Sequence, residues 1–107
     1  MQHEYSATSP SREALDAMHG LTVVEFGTAW CGHCQGAQPL IEAALATRPG
    51  LRYLKVEDGP GRRLGRSYRV KLWPTLIFLR DGEELSRLVR PTSGAEIVEA
   101  MEAIAPG

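Results

Sequence analysis

Apolar positions in this chain recur with two different periods, and the change from one to the other marks out the elements. Leu21-Thr22-Val23-Val24-Glu25-Phe26 is a short, nearly continuous apolar run that reads as a buried strand. Ahead of it, Ser9-Pro10 has the form of an N-cap with proline at the first helical position. Ala14, Leu15 and Met18 then share one face, and Gly20 stops the helix. Beyond the strand, Ala37, Leu40, Ile41, Ala44 and Leu45 recur at i, i+3, i+4, i+7 and i+8. That spacing predicts a helix from residue 31 or 32 to residue 48, ended by Pro49-Gly50. Pro39 falls inside the pattern, so a kink is expected there.

Residues 51–57 read as a second strand, with Leu51, Tyr53 and Lys55 on one face and Leu54 and Val56 toward the core. Asp58-Gly59-Pro60-Gly61 is a loop, and residues 62–68 form a short helix with Leu64 and Tyr68 inward. Residues 75–79 are a buried strand, and Asp81-Gly82 is a hairpin turn leading into residues 84–89. A closing helix over residues 93–104 carries Ile97, Val98, Met101 and Ile104 on one stripe. Strands alternating with helices, followed by a hairpin and a final helix, predict an α/β fold. Its central mixed sheet has four to five strands with helices on both faces.

A chain of 107 residues, 43% hydrophobic and 23% charged, fits one soluble domain over residues 1–107 with a single core. The net charge of −1 argues against nucleic acid or a membrane surface as partner. Charge is unevenly spread, however: −3 over residues 1–59, +5 over 60–90 and −3 over 91–107. The basic block is either a solvated helix with its flanking loop or a surface for acidic partners. No segment approaches the roughly 20 apolar residues of a membrane span. The N-terminal residues lack the basic-then-apolar layout of a secretory signal, so a cytoplasmic location is expected. Nothing in the pattern demands more than a monomer.

The only two cysteines, Cys31 and Cys34, sit two residues apart where the first strand passes into the long helix. Paired thiols outside an oxidising compartment are more often catalytic or metal-binding than structural. The spacing lets both sulfurs close one small ring, and a helix N-terminus stabilises negative charge on sulfur. Four-coordinate zinc needs further ligands, and only His3, His19 and His33 are available as histidines. Haem attachment needs histidine directly after the second cysteine, and that position is Gln35. Reversible disulfide chemistry without metal or cofactor is the expectation.

Trp30-Cys31-Gly32-His33-Cys34, with Val24-Glu25-Phe26 before it, Pro39 after it and Trp73-Pro74-Thr75 opening a later strand, resembles the thioredoxin family. The similarity runs from about residue 10 to the end. Cys31-Gly32-His33-Cys34 itself is similar to the active sites of protein disulfide isomerases, because thioredoxin has proline in place of His33. Glu25 also matches the isomerase form, where thioredoxin usually carries aspartate.

The resemblance implies a thioredoxin fold and a set of roles. Cys31 is the nucleophile and Cys34 the resolving thiol. Glu25, whose orientation strand alternation leaves open, becomes the buried acid that takes the Cys34 proton. Lys55, otherwise an exposed strand lysine, matches the lysine that pairs with this acid. Trp30, otherwise a core aromatic, flanks the site as a lid, with Gly32 and His33 completing the loop. Pro74 is held cis beside the sulfurs, so that Trp73, Pro74, Thr75 and Arg90 form the substrate-facing rim.

Several positions depart from the family pattern. Trp73 stands for a small aliphatic residue, Leu72 and Arg90 for glycines, and Gly27 for a tryptophan. Together with Arg62, Arg63, Arg66, Arg69 and Lys71, the first three make a bulky, basic lip that prefers acidic partners. An imidazolium at His33 favours the Cys31 thiolate and a more oxidising disulfide. The implied activity is reduction or exchange of protein disulfides, with a reductase as electron donor. The competing reading is a redox-sensitive binding module that docks to a partner enzyme without turnover.

Overall fold

The computed structural model describes residues 4–105. Its elements, in chain order, are α1 (Arg12–Asp16), β1 (Leu21–Gly27), α2 (Gly32–Leu45), β2 (Arg52–Glu57), α3 (Arg63–Ser67), β3 (Thr75–Arg80), β4 (Glu83–Val89) and α4 (Gly94–Ile104). The strands form one four-stranded sheet in the order β2-β1-β3-β4. β1 pairs parallel with β2 and antiparallel with β3, and β3 pairs antiparallel with β4. Ser6 adds a single parallel bridge to Val56 on the outer edge of β2, the stub of a fifth strand.

Alternation along β1 divides the core in two. Val23 packs with Ala37, Ile41, Phe78, Ile97 and Met101 beneath α2 and α4. Val24 and Phe26 point the other way and pack with Leu15, Leu64, Tyr68 and Ile77 beneath α1 and α3. Because helices cover both faces, β1 is buried along nearly its whole length, as a continuous apolar run requires. The same alternation puts Glu25 on the Val23 face, under α2, and resolves what its sequence neighbours left open.

Several boundaries differ from the sequence reading. The N-cap of α1 is Ser11, not Ser9: its hydroxyl accepts from the Ala14 backbone N–H at 3.0 Å. Leu15 is buried as expected, but Ala14 is exposed. α2 runs unbroken through Pro39 and ends at Leu45, three residues early, with Thr47 and Arg48 donating to carbonyls three residues back. β2 has no solvent face of the kind its pattern suggested. Leu54 and Val56 enter one core cluster, while Leu51 and Tyr53 pack against the other.

The β3–β4 hairpin closes on Asp81 and Gly82, both at positive φ (52° and 81°), as the two-residue Asp-Gly turn demands. A Cβ on Gly82 would lie 2.0 Å from the Asp16 carbonyl oxygen, so the turn tip packs directly on the end of α1. Among the described residues no helix is long and apolar enough to cross a membrane.

Candidate active site

β1 ends in the loop that delivers Cys31 to the start of α2, and Cys31 is itself the N-cap of that helix. Its sulfur accepts the Cys34 backbone N–H at 3.3 Å, the place usually taken by a serine or aspartate oxygen. A sulfur so placed faces the unsatisfied N–H groups and the positive end of a four-turn helix. The two thiols are free and unequal. Cys31 keeps 8% of its surface exposed and Cys34 only 1%. Burial, and then the hydrogen bond to Cys31, push the Cys34 thiol up to about 11. Cys34 therefore stays protonated at neutral pH and needs a base before it can attack.

Glu25 lies on the β1 face covered by α2, the helix that carries Cys34. Glu25 is fully buried, and three donors converge on its carboxylate. Tyr5 and Tyr53 give their hydroxyl protons to Oε2 and Oε1, respectively, and Gln38 Nε2 donates to Oε2 at 2.9 Å. Lys55 Nζ donates to Gln38 Oε1 at 2.7 Å, so the expected lysine reaches the acid through an amide. Gln38 Nε2 also donates to the Cys34 carbonyl at 3.3 Å, tying the network to the first turns of α2. A fully buried carboxylate with this many donors has its acceptor capacity satisfied. Burial first, and then the Glu25 charge, hold both phenols well above the ordinary tyrosine range.

Tyr5, Tyr53 and Gln38 were not singled out in the sequence. Tyr53 was legible in principle, because Val23 and Glu25 pair with Tyr53 and Lys55 in register, so all four side chains share one face. Gly27 carried the signal for Tyr5. A Cβ there would sit 2.6 Å from both the Cys34 sulfur and the Tyr5 hydroxyl oxygen. The place of the missing side chain is taken by an aromatic from the N-terminal segment. Gly27 therefore does not simply strip an aromatic from the site, as the sequence suggested.

The rim is built from the start of β3. The Trp73-Pro74 bond is cis, and the Thr75 hydroxyl donates to the Leu72 carbonyl at 2.6 Å. Trp30 is 74% exposed and meets Trp73 edge to face, with ring centroids 5.6 Å apart, so it is a rim residue and not a core aromatic. Arg90, at a positive φ of 51°, turns its side chain onto this segment, and Nε donates to the Trp73 carbonyl at 2.8 Å. His33 is exposed and lines a shallow groove with Arg90 and Pro91.

Trp73 also forms one wall of a groove of about 480 Å³ whose other side carries Arg62, Arg66, Arg69 and Lys71. The acids at its edge are engaged: Asp58 accepts from the Trp73 indole, and Glu57 pairs with Arg62. Arg63 is exposed outside this groove. Among the described residues, no three His, Cys, Asp or Glu side chains gather as a metal site; His3 lies outside those residues.

A thioredoxin family model matches residues 5–103. The structure of thioredoxin 2 from Pseudomonas aeruginosa PAO1 in its reduced form is 58% identical, covering 97% of this chain and 96% of that one, with a TM-score of 0.88. A thioredoxin of Chlamydia trachomatis is 39% identical over 70 residues, 65% of this chain and 69% of that protein. An H-type thioredoxin of Ricinus communis is 30% identical over 103 residues, covering 96% and 84%. A buried dithiol at a helix N-terminus over a satisfied acid, on this fold and with these relatives, leaves one conclusion: the chain belongs to the thioredoxin family and is a thiol–disulfide oxidoreductase.

Proposed function

We propose that this chain reduces or exchanges disulfides of protein substrates, with Cys31 as attacking thiolate and Cys34 as resolving thiol. The inequality of the two sulfurs carries this reading. One keeps a sliver of its surface exposed and accepts a backbone N–H, and the other is wholly buried and held protonated. Cys31 attacks one sulfur of the substrate disulfide, forming a mixed disulfide and expelling the first substrate thiolate. Cys34 then loses its proton and attacks Cys31, expelling the second. Two electrons pass to the substrate, the protein is left as the Cys31–Cys34 disulfide, and a reductase restores the dithiol.

In this scheme Glu25 is the final acceptor of the Cys34 proton, and Gln38 and Lys55 position it. Trp73, Pro74, Thr75 and Arg90 form the surface on which substrate lies, with Trp30 packed against Trp73 at its edge. Acidic segments are the preferred clients, because the groove beside Trp73 carries guanidinium and ammonium groups while its nearby acids are engaged. The test is dithiothreitol-dependent reduction of insulin. Wild-type protein is expected to accelerate it and Cys31→Ser to abolish the acceleration. Turnover retained by Cys31→Ser would overturn the assignment, and a reversible disulfide without turnover would favour a docking module.

A further inference from the structure

The Cys34 proton must travel to Glu25, yet among the described residues no side-chain hydrogen bond joins the two directly. The Tyr5 hydroxyl stands between them. It donates to Glu25 Oε2, and its oxygen and the Cys34 sulfur flank the same space, each 2.6 Å from where a Cβ on Gly27 would lie. We propose that Tyr5 is a proton relay of the resolving step: its hydroxyl oxygen takes the Cys34 S–H proton while its own O–H proton passes to Glu25. The inference rests on Cys34 being the resolving thiol.

Three features hold the phenol in place. The Ser6 backbone N–H donates to the Lys55 carbonyl, and the Glu57 N–H donates to the Ser6 carbonyl, so the N-terminal segment is fastened to the edge of β2. The Lys55 ammonium sits 4.3 Å from the Tyr5 ring centroid. Gly27 leaves the space in which the phenol oxygen and the sulfur meet, since any side chain there would collide with both. The titratable groups around Tyr5 are Glu25 from β1, Lys55 from β2, and Cys34 and Glu42 from α2. A cleft of about 440 Å³ lined by Tyr5, Cys34, Gln38, Glu42 and Lys55 opens beside the phenol.

The step balances without any added reagent. As the Cys34 S–H bond breaks, its electron pair forms the Cys34–Cys31 bond, and the Cys31–substrate bond breaks with its pair leaving on the substrate sulfur. The proton moves from sulfur to phenol and from phenol to carboxylate, so Tyr5 ends unchanged and Glu25 ends protonated. Tyr53 supplies an internal comparison. It also donates to Glu25, but to the other oxygen.

The test is stopped-flow reaction of the reduced protein with 5,5′-dithiobis(2-nitrobenzoate), which separates the two steps. Attack by Cys31 releases the first equivalent of thionitrobenzoate and resolution by Cys34 releases the second. Tyr5→Phe keeps the ring and its contact with Lys55. It is expected to leave the first phase within about twofold and to slow the second about tenfold or more at pH 7. The gap should narrow as pH rises toward 9.5, because hydroxide then removes the Cys34 proton without help. Tyr53→Phe should slow the second phase at least about fivefold less than Tyr5→Phe does. Equal second-phase rates for the two variants, or a slowing by Tyr5→Phe that does not change with pH, would overturn the relay. A second equivalent still released by Cys34→Ser would instead overturn the assignment of Cys34, and the relay with it.

Discussion

Cys34 makes the stability of the reduced protein depend on alkaline pH in a way that can be worked out in advance. A free thiol in this setting starts from 9.0, and in the folded protein burial and the Cys31 hydrogen bond raise it to about 11. The unfolded chain therefore loses this proton first as pH rises. A raised folded-state value means that the contribution is fully present below about pH 9 and is lost as pH climbs toward 11. At pH 10 the unfolded thiol is ionised about tenfold more than the folded one, which amounts to about 1.4 kcal/mol, against less than about 0.1 kcal/mol at pH 8.

Alkaline pH acts on the rest of the chain as well, so the useful quantity is a difference. Urea unfolding of reduced wild-type protein and of Cys34→Ser should be followed at pH 8 and pH 10. Wild type is expected to lose about 1.3 kcal/mol more than the variant between the two conditions, a difference in midpoint shift of roughly 0.4–1.3 M. The oxidised protein, which has no thiols, should lack the extra loss. Equal losses in wild type and Cys34→Ser would refute the claim that Cys34 is held protonated by its surroundings. A smaller loss in wild type would reverse the sign of the argument.

Replacing His33 with proline should make the couple more reducing, read as the equilibrium potential against glutathione. Thioredoxin and protein disulfide isomerase differ by roughly 90 mV, about 4 kcal/mol for two electrons, and wild type is expected between them. An unchanged or higher potential in His33→Pro would contradict the electrostatic role given to the imidazole. Reversing charge at Arg66 and Arg69 should slow turnover of acidic disulfide peptides more than basic ones, most strongly at low salt; equal effects would remove the groove from client choice. Gly27→Ala should cost about 1–3 kcal/mol in urea unfolding, because the new methyl must displace Tyr5 or Cys34. A neutral result would show that the site has slack there.

The dithiol, the strand bearing Glu25 and the position of Pro74 could be read from local pattern because each is encoded by neighbours in the chain. The helix start at Cys31 and the Asp81-Gly82 hairpin follow the same logic, whereas the nearness of Lys55 to Glu25 came only from the family resemblance. The shell around the carboxylate needed strand register as well as local pattern. Tyr5 and Tyr53 lie 20 and 28 residues from Glu25, and only the closed sheet brings them to it. Gly27 held a clue of a different kind, since a missing side chain in a buried strand has to be compensated by an atom from elsewhere. Arg90 was placed on the rim, but its bond to the Trp73 carbonyl depends on a left-handed backbone at the end of β4 that no local pattern announced. The start of α1 was misplaced because Ser9 and Ser11 are both capable caps, and the contact with Ala14 decides between them.

The central claim is that Cys31 attacks and Cys34 resolves, and trapping tests it most directly. Cys34→Ser, mixed with disulfide-containing proteins and quenched with acid, should accumulate covalent adducts that dithiothreitol releases, each mapped by mass spectrometry to Cys31. Adducts on no residue, or the same adducts formed by Cys31→Ser through Cys34, would contradict the account.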